Sequence, residues 1–257
     1  MSSSCIIRVC RHHLYADDLQ IYIKFHTDKI NDAITKINDD LNSICTWIRK
    51  FRLKLNPEKS QSIIVGHSRL LSTITIPNLS LIKIHGTEIL FSESVKNLGI
   101  YMDKSLNWNI QVEETCKKVF SLIHSFRRLK NFLPFSMKKM LVQTLVMPHF
   151  DYCDILLTDL SVTLEHVTSS LEMLSWLRLE DRRKIHCLSL PFHILHFSTP
   201  VYLASRFQNL STHHNLDTRS QHSSMLSIPS HRTSSYSSSF TVAVPRLWNS
   251  LPSNVRD

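Results

Sequence analysis

Apolar residues between Thr27 and Phe51 recur every three or four positions, the spacing of an amphipathic helix. The stripe consists of Ile30, Ile34, Ile37, Leu41, Ile44, Ile48 and Phe51. We expect this helix, predicted over 28–51, to pack on a neighbouring sheet, because so long a stripe needs a large apolar partner. Residues 6–25 are rich in β-branched and aromatic types on both sides of a short acidic break. They predict two strands joined by a tight turn, with Asp17 and Asp18 at its tip.

Short β-forming runs follow this helix, and turn-forming proline and glycine residues separate them. The runs cover residues 62–66, 81–84, 88–91 and 95–102. After Asn107 the periodicity becomes helical. The helices predicted there cover 108–132, 136–157, 162–176 and 180–196. The predicted fold class is therefore α+β, a small antiparallel sheet with a helix followed by a mainly helical region.

The last fifth of the chain changes character twice. Residues 211–239 are dominated by Ser, Thr and His and contain few apolar residues. Such a composition does not offset the entropy of ordering, so we predict a disordered linker there. Residues 240–257 regain apolar character, and we predict that they dock back as one short element.

Composition narrows the classes of function. Three glycines, Gly66, Gly86 and Gly99, lie too far apart for a dinucleotide-binding fingerprint or a Walker loop. The formal net charge of +9 attracts polyanions, and nucleic acid is the first partner to consider. No apolar run reaches the roughly 20 residues of a membrane span, and no signal peptide is recognisable. We therefore expect no membrane association.

The six cysteines are scattered and contain no C-x-x-C pair, which indicates reduced thiols and an intracellular location, in the cytoplasm or nucleus. Metal ligands of the cysteine and histidine type also lack the paired spacing of a zinc site, so we expect no zinc. The combinations considered are Cys10, His12 and His13, or His213, His214, His222 and His231.

The tetrapeptide Tyr15-Ala16-Asp17-Asp18 places two adjacent carboxylates on the predicted turn. Two carboxylates held together repel each other, and a divalent cation such as Mg²⁺ compensates that repulsion. A tight turn can bring both side chains to one site, as two-metal phosphoryl transfer requires. A solvated Asp-Asp turn is the other interpretation.

Five segments, in order along the chain, resemble the reverse transcriptase of LINE-type, jockey-like non-LTR retrotransposons. The polymerase metal motif of that family is similar to HLYADDLQIYIKF, and the following palm helix with its lysine-bearing segment to INDDLNSICTWIRKFRLKLNPEKSQSIIVG. The primer-grip strand and the start of the thumb resemble VKNLGIYMDKSLNWNIQVEETCKKV. Downstream segments resemble FHILHFSTPVYLASRF and SFTVAVPRLWNSLPSNVR. The resemblance extends over nearly all of residues 6–257.

The resemblance implies an RNA-directed DNA polymerase that acts on an RNA template and a DNA primer with Mg²⁺ or Mn²⁺. It makes Asp17 and Asp18 catalytic metal ligands and places Tyr15 beside the primer end. Lys59 matches a lysine that assists the leaving pyrophosphate, although an ordinary exposed lysine after a turn fits equally well. The primer-grip motif falls on Leu98-Gly99, where a simple turn or bulge is the other interpretation.

The family pattern also implies the domain organisation. Residues 1–104 correspond to a partial palm, and residues 105–210 correspond to a helical thumb and the region downstream of it. The basic residues predicted to hold nucleic acid are Lys117, Lys118, Arg127, Arg128, Lys138 and Lys139. Lys117 and Arg128 fall opposite the apolar face of the predicted helix 108–132. That face consists of Val119, Leu122, Ile123, Phe126 and Leu129. A solvated charged face beside a core is the alternative interpretation of this basic run.

Parts of the family pattern have no counterpart in these residues. The family's third metal-binding carboxylate and its nucleotide-positioning motif precede YADD, yet none of the sixteen residues before Asp17 is acidic. We therefore expect this chain alone to be inactive, or to need another chain that supplies the palm and fingers. A non-catalytic nucleic-acid-binding module and a relic of a degenerate element remain as alternatives. Further carboxylates, interpreted as surface or capping residues, are Asp103, Asp151, Asp154 and Asp159.

Overall fold

The computed structural model describes residues 7–74, 79–157, 168–210 and 225–256. These residues form small antiparallel hairpins and many helices, so the predicted α+β class is confirmed. The chain divides into two compact units, Met1–Glu113 and Glu114–Asp257. Each unit has its own hydrophobic core, as expected of separate domains.

The first unit opens with the predicted hairpin. Strands β1 (Arg11–Tyr15) and β2 (Asp18–Tyr22) pair antiparallel, with Tyr15 opposite Asp18. Only two residues connect the strands, which confirms the tight turn. A short 3₁₀ turn then leads into α1 (Ile30–Lys50), which confirms the predicted helix.

Helix α1 buries its apolar stripe against two hairpins. Ile44 and Ile48 form one cluster, against which β2 packs Leu19 and Ile21. Further along the same face, Leu41 and Cys45 cluster with Ile84 and Ile89, which belong to a second hairpin over residues 82–89. Each such side chain contributes about 1.5–3 kcal/mol when it is fully withdrawn from water. Both hairpins therefore pack against the apolar face of α1.

The remaining strands form two further hairpins, and α2 (Ser68–Leu71) precedes them. Strands β3 (Ile82–Ile84) and β4 (Thr87–Ile89) form one hairpin, and β5 (Ser94–Asn97) and β6 (Ile100–Asp103) form the other. Within the described residues the strands make three separate two-stranded sheets. The prediction of one continuous strand over 95–102 is therefore wrong.

The turn that interrupts this run is formed by Leu98 and Gly99. Both residues have positive φ, 46° and 85°. Positive φ at both central residues is the geometry of a two-residue hairpin turn whose twist matches the strands. Leu98 does not belong to the residue types that mark such turns, so the sequence pattern concealed the break.

Helix α3 (Asn109–Arg128) connects the two units, and the predicted helix over 136–157 that follows it is broken. The segments are α4 (Phe135–Leu141), a π-helical turn over Val142–Val146, and α5 (Met147–Asp151). Pro148 lies in the first turn of α5 and has no N–H to donate to the preceding turn. A π turn before it accommodates this lost hydrogen bond.

The core of the second unit forms where two later helices meet. The helices that follow are α6 (Thr168–Leu174), α7 (Leu179–Phe197), α8 (Val201–Ala204), α9 (Ser234–Ser237), α10 (Phe240–Asn249) and α11 (Ser253–Arg256). Cys187 and Ile194 of α7 cluster with Val244 and Trp248 of α10. The predicted helix 180–196 is confirmed, whereas part of the predicted helix 162–176 lies outside the described residues.

Part of the predicted linker is ordered. Residues 211–224 lie outside the described residues, but Leu226 is buried in the core of the second unit. The side-chain amide of Asn249 accepts the Leu226 N–H at 2.8 Å and donates to the Leu226 carbonyl at 2.8 Å. The buried leucine and this paired amide attach the segment around Leu226 to the core of the second unit. Residues 225–239 thus differ from the prediction of disorder.

Candidate functional site

The Tyr15–Asp18 turn projects from the first unit into solvent. Ala16 and Asp17 form the turn, Asp18 opens β2, and all three are exposed. Ala16 has a φ of 51°, a left-handed conformation that is uncommon for a residue with a Cβ. This conformation costs about 1 kcal/mol relative to the right-handed one. The hairpin therefore holds two neighbouring carboxylates on a tight, slightly strained turn.

Alternation along the hairpin separates an apolar face from a polar one. Leu19 packs toward α1, so Asp18 and Gln20 lie on the other face of β2. Across the strands, the His13 and Tyr22 rings stack with centroids 5.4 Å apart, and His13 Nε2 lies 3.0 Å from the Tyr22 hydroxyl oxygen. Tyr15, opposite Asp18, extends this face to the turn. Carboxylate, amide and aromatic groups thus share one face of the hairpin.

One hydrogen bond joins this hairpin to the Leu98-Gly99 hairpin, and a second joins the Leu98-Gly99 hairpin to the segment that follows Lys59. Gln20 Nε2 donates to Asn97 Oδ1 at 2.6 Å, and Asn97 directly precedes the Leu98-Gly99 turn. The backbone N–H of Lys96 in turn donates to Gln61 Oε1 at 3.1 Å. The structure therefore links the carboxylate hairpin with the Leu98-Gly99 hairpin.

Lys59 is exposed at the end of a 3₁₀ turn over Pro57–Lys59. Asn56 caps this turn, because its side-chain oxygen accepts the Glu58 N–H at 3.0 Å. Gln61, which bonds to β5, follows two residues later. The structure thus places Lys59 next to the segment that contacts the Leu98-Gly99 hairpin, with its ammonium group free to extend into solvent.

Asp40 is a residue of this region that sequence reasoning missed. It is 3% exposed and accepts hydrogen bonds from the N–H groups of Arg8, Val9 and Cys10 at 2.8–3.2 Å. Burial opposes its ionisation, but these N–H donors outweigh burial and hold the pKa of Asp40 below its usual value. Asp40 thereby fastens the chain just before β1 to α1. The sequence does contain a sign of this role, because Asp40 lies at helical spacing between the apolar residues Ile37 and Ile44.

Cys10 completes this attachment. Burial and the neighbouring Asp40 carboxylate raise the pKa of its thiol to about 12, so the thiol stays a neutral donor. A zinc ligand would need the thiolate form. Among the other residues considered for zinc, His213, His214 and His222 lie outside the described residues.

The predicted basic residues lie on α3 and α4. Lys117, Lys118, Arg127 and Arg128 are exposed on α3, whereas Lys138 and Lys139 on α4 are half-buried. Lys117 Nζ lies 2.9 Å from Glu114 Oε1, so one acidic side chain accompanies the run at its start. The apolar face of the helix is covered in part, with Val119 buried.

The carboxylates that had been interpreted as surface or capping residues differ in their roles. Asp103 is a capping residue, because its carboxylate accepts N–H groups of the turn that enters α3, including Ser105 at 2.8 Å. Asp154 is buried, so its interpretation as a surface residue was wrong. Its position in a short 3₁₀ turn against α7 explains the burial. Asp159 lies outside the described residues.

Asp151, Asp154 and His186 lie within 4.8 Å of one another, as metal ligands can. Each carboxylate already has a partner on α7. Arg182 binds Asp151 through two N–H groups, one at 2.9 Å, and this raises the pKa of Arg182. His186 Nδ1 lies 2.7 Å from Asp154 Oδ2. This group is a structural network that joins α5 and the following turn to α7.

None of the helices in the described part of the chain combines the length and apolar character needed to cross a membrane. No protein-family model matches the sequence, and no solved structure matches it.

A relative is found among transposon proteins. The chain is similar to the "Probable RNA-directed DNA polymerase from transposon BS" of Drosophila melanogaster, with 26% identity over 117 residues. The match covers 46% of this chain and 12% of that polymerase. The chain thus resembles a limited part of a much longer transposon protein.

Proposed function

We propose that this chain is part of the reverse transcriptase of a LINE-type, jockey-like non-LTR retrotransposon. One observation carries the proposal. The turn that presents Asp17 and Asp18 is joined through Gln20 and Asn97, at 2.6 Å, to the Leu98-Gly99 turn. These are the segments that resemble the metal motif and the primer grip of that family. The similarity to the Drosophila transposon polymerase supports the same assignment.

In this proposal Asp17 and Asp18 hold Mg²⁺ or Mn²⁺ and Tyr15 borders the primer end. The residues fit a hard divalent cation, because exposed carboxylate oxygens are its preferred ligands. When bound, the metal stabilises the charge of the reacting phosphate oxygens. Lys59 supplies a positive charge for the leaving pyrophosphate, and the RNA template and DNA primer are the partners.

The chain by itself is proposed to be inactive as a polymerase. The turn brings together two carboxylates, Asp17 and Asp18, and a site of two carboxylates binds a divalent cation weakly. A primer annealed to an RNA template, incubated with nucleotides and Mg²⁺ or Mn²⁺, is expected to remain unextended. Synthesis that disappears in Asp17→Asn would contradict this expectation.

A second candidate is a nucleic-acid-binding module without catalysis. Residues 115–150 contain no acidic side chain but include seven lysines and arginines. Such a segment attracts phosphates through its charge alone, and binding then weakens as salt rises. Part of a polymerase and a binding module both require this affinity, whereas a non-functional relic does not.

Binding to an RNA–DNA duplex at salt concentrations between about 50 and 200 mM tests this affinity. We expect the replacement of Lys117, Lys118, Arg127 and Arg128 by Glu to reduce the slope of log affinity against log salt concentration by about 3–4. Asp17→Asn is expected to leave it unchanged. A control with the same change in net charge reverses the ion-paired Lys36, Lys83, Lys104 and Lys184. Absence of salt-dependent binding by the unmodified chain would favour the relic.

A further inference from the structure

The solvent face of α3 carries cationic and aromatic side chains in a regular series. The series is Lys117, Phe120, His124 and Arg127, with spacings of three, four and three residues, and all four side chains are exposed. At 3.6 residues per turn, these positions lie on one side of the helix. We call this set the α3 stripe. Buried Val119 lies on the other side of the helix.

Phe120 is the unusual member of the α3 stripe. This residue is 68% exposed, although α3 has an apolar face where phenylalanine could be buried. Lys117 lies one turn before it and Arg127 two turns after it. An exposed ring flanked by cations suits a partner that offers flat aromatic surfaces together with negative charge.

The same combination continues beyond the end of α3. Phe132 and Phe135 are 82% and 67% exposed. Lys130 precedes these rings, and Lys138 follows them. Since no Asp or Glu occurs between Glu114 and Asp151, every charged side chain near these rings within the segment is a cation.

The α3 stripe fits one form of nucleic acid better than another. In a duplex the base faces are stacked on each other, and only phosphates, sugars and base edges are offered. A single strand offers unpaired base faces, and stacking on an aromatic side chain contributes about 1–3 kcal/mol per base. Exposed phenylalanines between cations therefore favour the unpaired strand.

We propose that the α3 stripe binds single-stranded nucleic acid, with a base stacked on Phe120 and phosphates held by Arg127 and the neighbouring Arg128. The proposal rests on the proposed nucleic-acid-binding function of α3 and specifies the form of the strand. His124 lies between the two groups, and its Nδ1 is 3.5 Å from a terminal nitrogen of Arg128. Sequence preference is slight, since every base has a face that can stack.

The test compares the affinity of the full chain for a labelled single-stranded RNA of about 12 nucleotides with its affinity for the same strand annealed to its complement. Phe120→Ala is expected to weaken single-strand binding about tenfold and to change duplex binding less than about twofold. Phe120→Tyr keeps an aromatic face and is expected to restore single-strand binding. Arg127→Gln is expected to weaken the binding of both forms.

Phe197→Ala is the matched control. Phe197 is a helical phenylalanine that is 57% exposed, and no Lys or Arg lies within six residues of it. This variant is expected to bind the single strand as the unmodified chain does. Circular dichroism of each variant shows whether the helices are retained, and an exposed ring is expected to be dispensable for folding.

The outcomes separate the two proposals. If Phe120→Ala and Phe197→Ala bind the single strand equally while Arg127→Gln binds more weakly, stacking is overturned and the nucleic-acid-binding function stands. If the unmodified chain binds neither form, both proposals fail. If the chain self-associates and only Phe120→Ala abolishes the association without changing single-strand affinity, the stripe is a protein interface and the proposal is overturned.

Discussion

Helices α1 and α3 have nearly the same length, 21 and 20 residues, and the sequence predicts an apolar face for each. The structure uses them differently. Ile34 and Leu41 of α1 are buried. On α3, Val119 is buried, but Ile123 remains exposed. Amphipathic spacing therefore predicted both helices, but it did not predict how completely each apolar face is covered.

The difference in burial corresponds to a difference in role. Helix α1 supports two hairpins and positions the carboxylates through buried contacts and through Asp40. Helix α3 presents cations and an exposed phenylalanine to solvent. Substitutions on α1 are thus expected to change stability, whereas substitutions on the exposed side of α3 are expected to change binding.

Truncation of an apolar side chain gives the largest contrast. Ile44→Ala on α1 is expected to lower the free energy of unfolding of the first unit by about 3 kcal/mol, because it leaves a cavity in the core. Ile123→Ala on α3 is expected to cost less than about 1 kcal/mol, since the side chain is 38% exposed. Chemical denaturation measures both values, and equal losses would show that α3 is as deeply packed as α1.

The next effect concerns Asp40 and acid. Asp40→Asn is expected to lower the free energy of unfolding by about 2 kcal/mol, because a charged acceptor of several N–H groups is replaced by a neutral one. Asp39→Asn, its exposed neighbour, is the matched control and is expected to change stability by less than about 0.5 kcal/mol.

The pH dependence of that loss follows from the lowered pKa of Asp40. Its stabilising effect is fully present above the pKa of an unfolded aspartate, about 3.9, and is lost as the pH falls further through the folded pKa. The difference between the unmodified chain and Asp40→Asn is therefore expected to shrink below about pH 4. A difference that persists unchanged in acid would show that the charge of Asp40 contributes nothing.

The same substitution at two alanines is expected to act with opposite sign. Ala16→Gly relieves a φ of 51° in the hairpin turn and is expected to raise the free energy of unfolding by about 0.5 kcal/mol. Ala33→Gly within α1 is expected to lower it by about 1 kcal/mol, because glycine weakens a helix interior. Thermal or urea unfolding of both variants measures these changes. A lower free energy of unfolding in both variants would show that the backbone at Ala16 is not strained.

The smallest effects on stability come from single surface charges. Lys36→Gln on α1 removes an ion pair with Asp32, 2.7 Å long, and is expected to cost about 0.3–0.5 kcal/mol. Arg127→Gln on α3 is expected to leave stability unchanged but to lower the salt slope of RNA binding by about 1. If Lys36→Gln changes the salt slope equally, Arg127 on α3 contributes no more to RNA binding than a lysine elsewhere on the surface.

Local patterns that fail to predict the structure do so for identifiable reasons. The break at Leu98 was concealed because a leucine occupies a left-handed position. The predicted helix over 136–157 is interrupted by a π turn before Pro148. Neither the turn at Leu98 nor the π turn alters the spacing of apolar residues, and that spacing is what predicts strands and helices.

The sequence by itself determined the local elements: the YADD hairpin, the amphipathic α1 and the positive charge of 115–150. Periodicity, turn chemistry and charge act between near neighbours, so one chain segment suffices to read them. Tertiary structure alone decided that Gln20 meets Asn97, that Asp40 holds the segment before β1, and that Phe120 stays in water. These outcomes depend on which surfaces come into contact when the chain folds. Contacts between residues up to 77 positions apart produce no periodic pattern in the sequence.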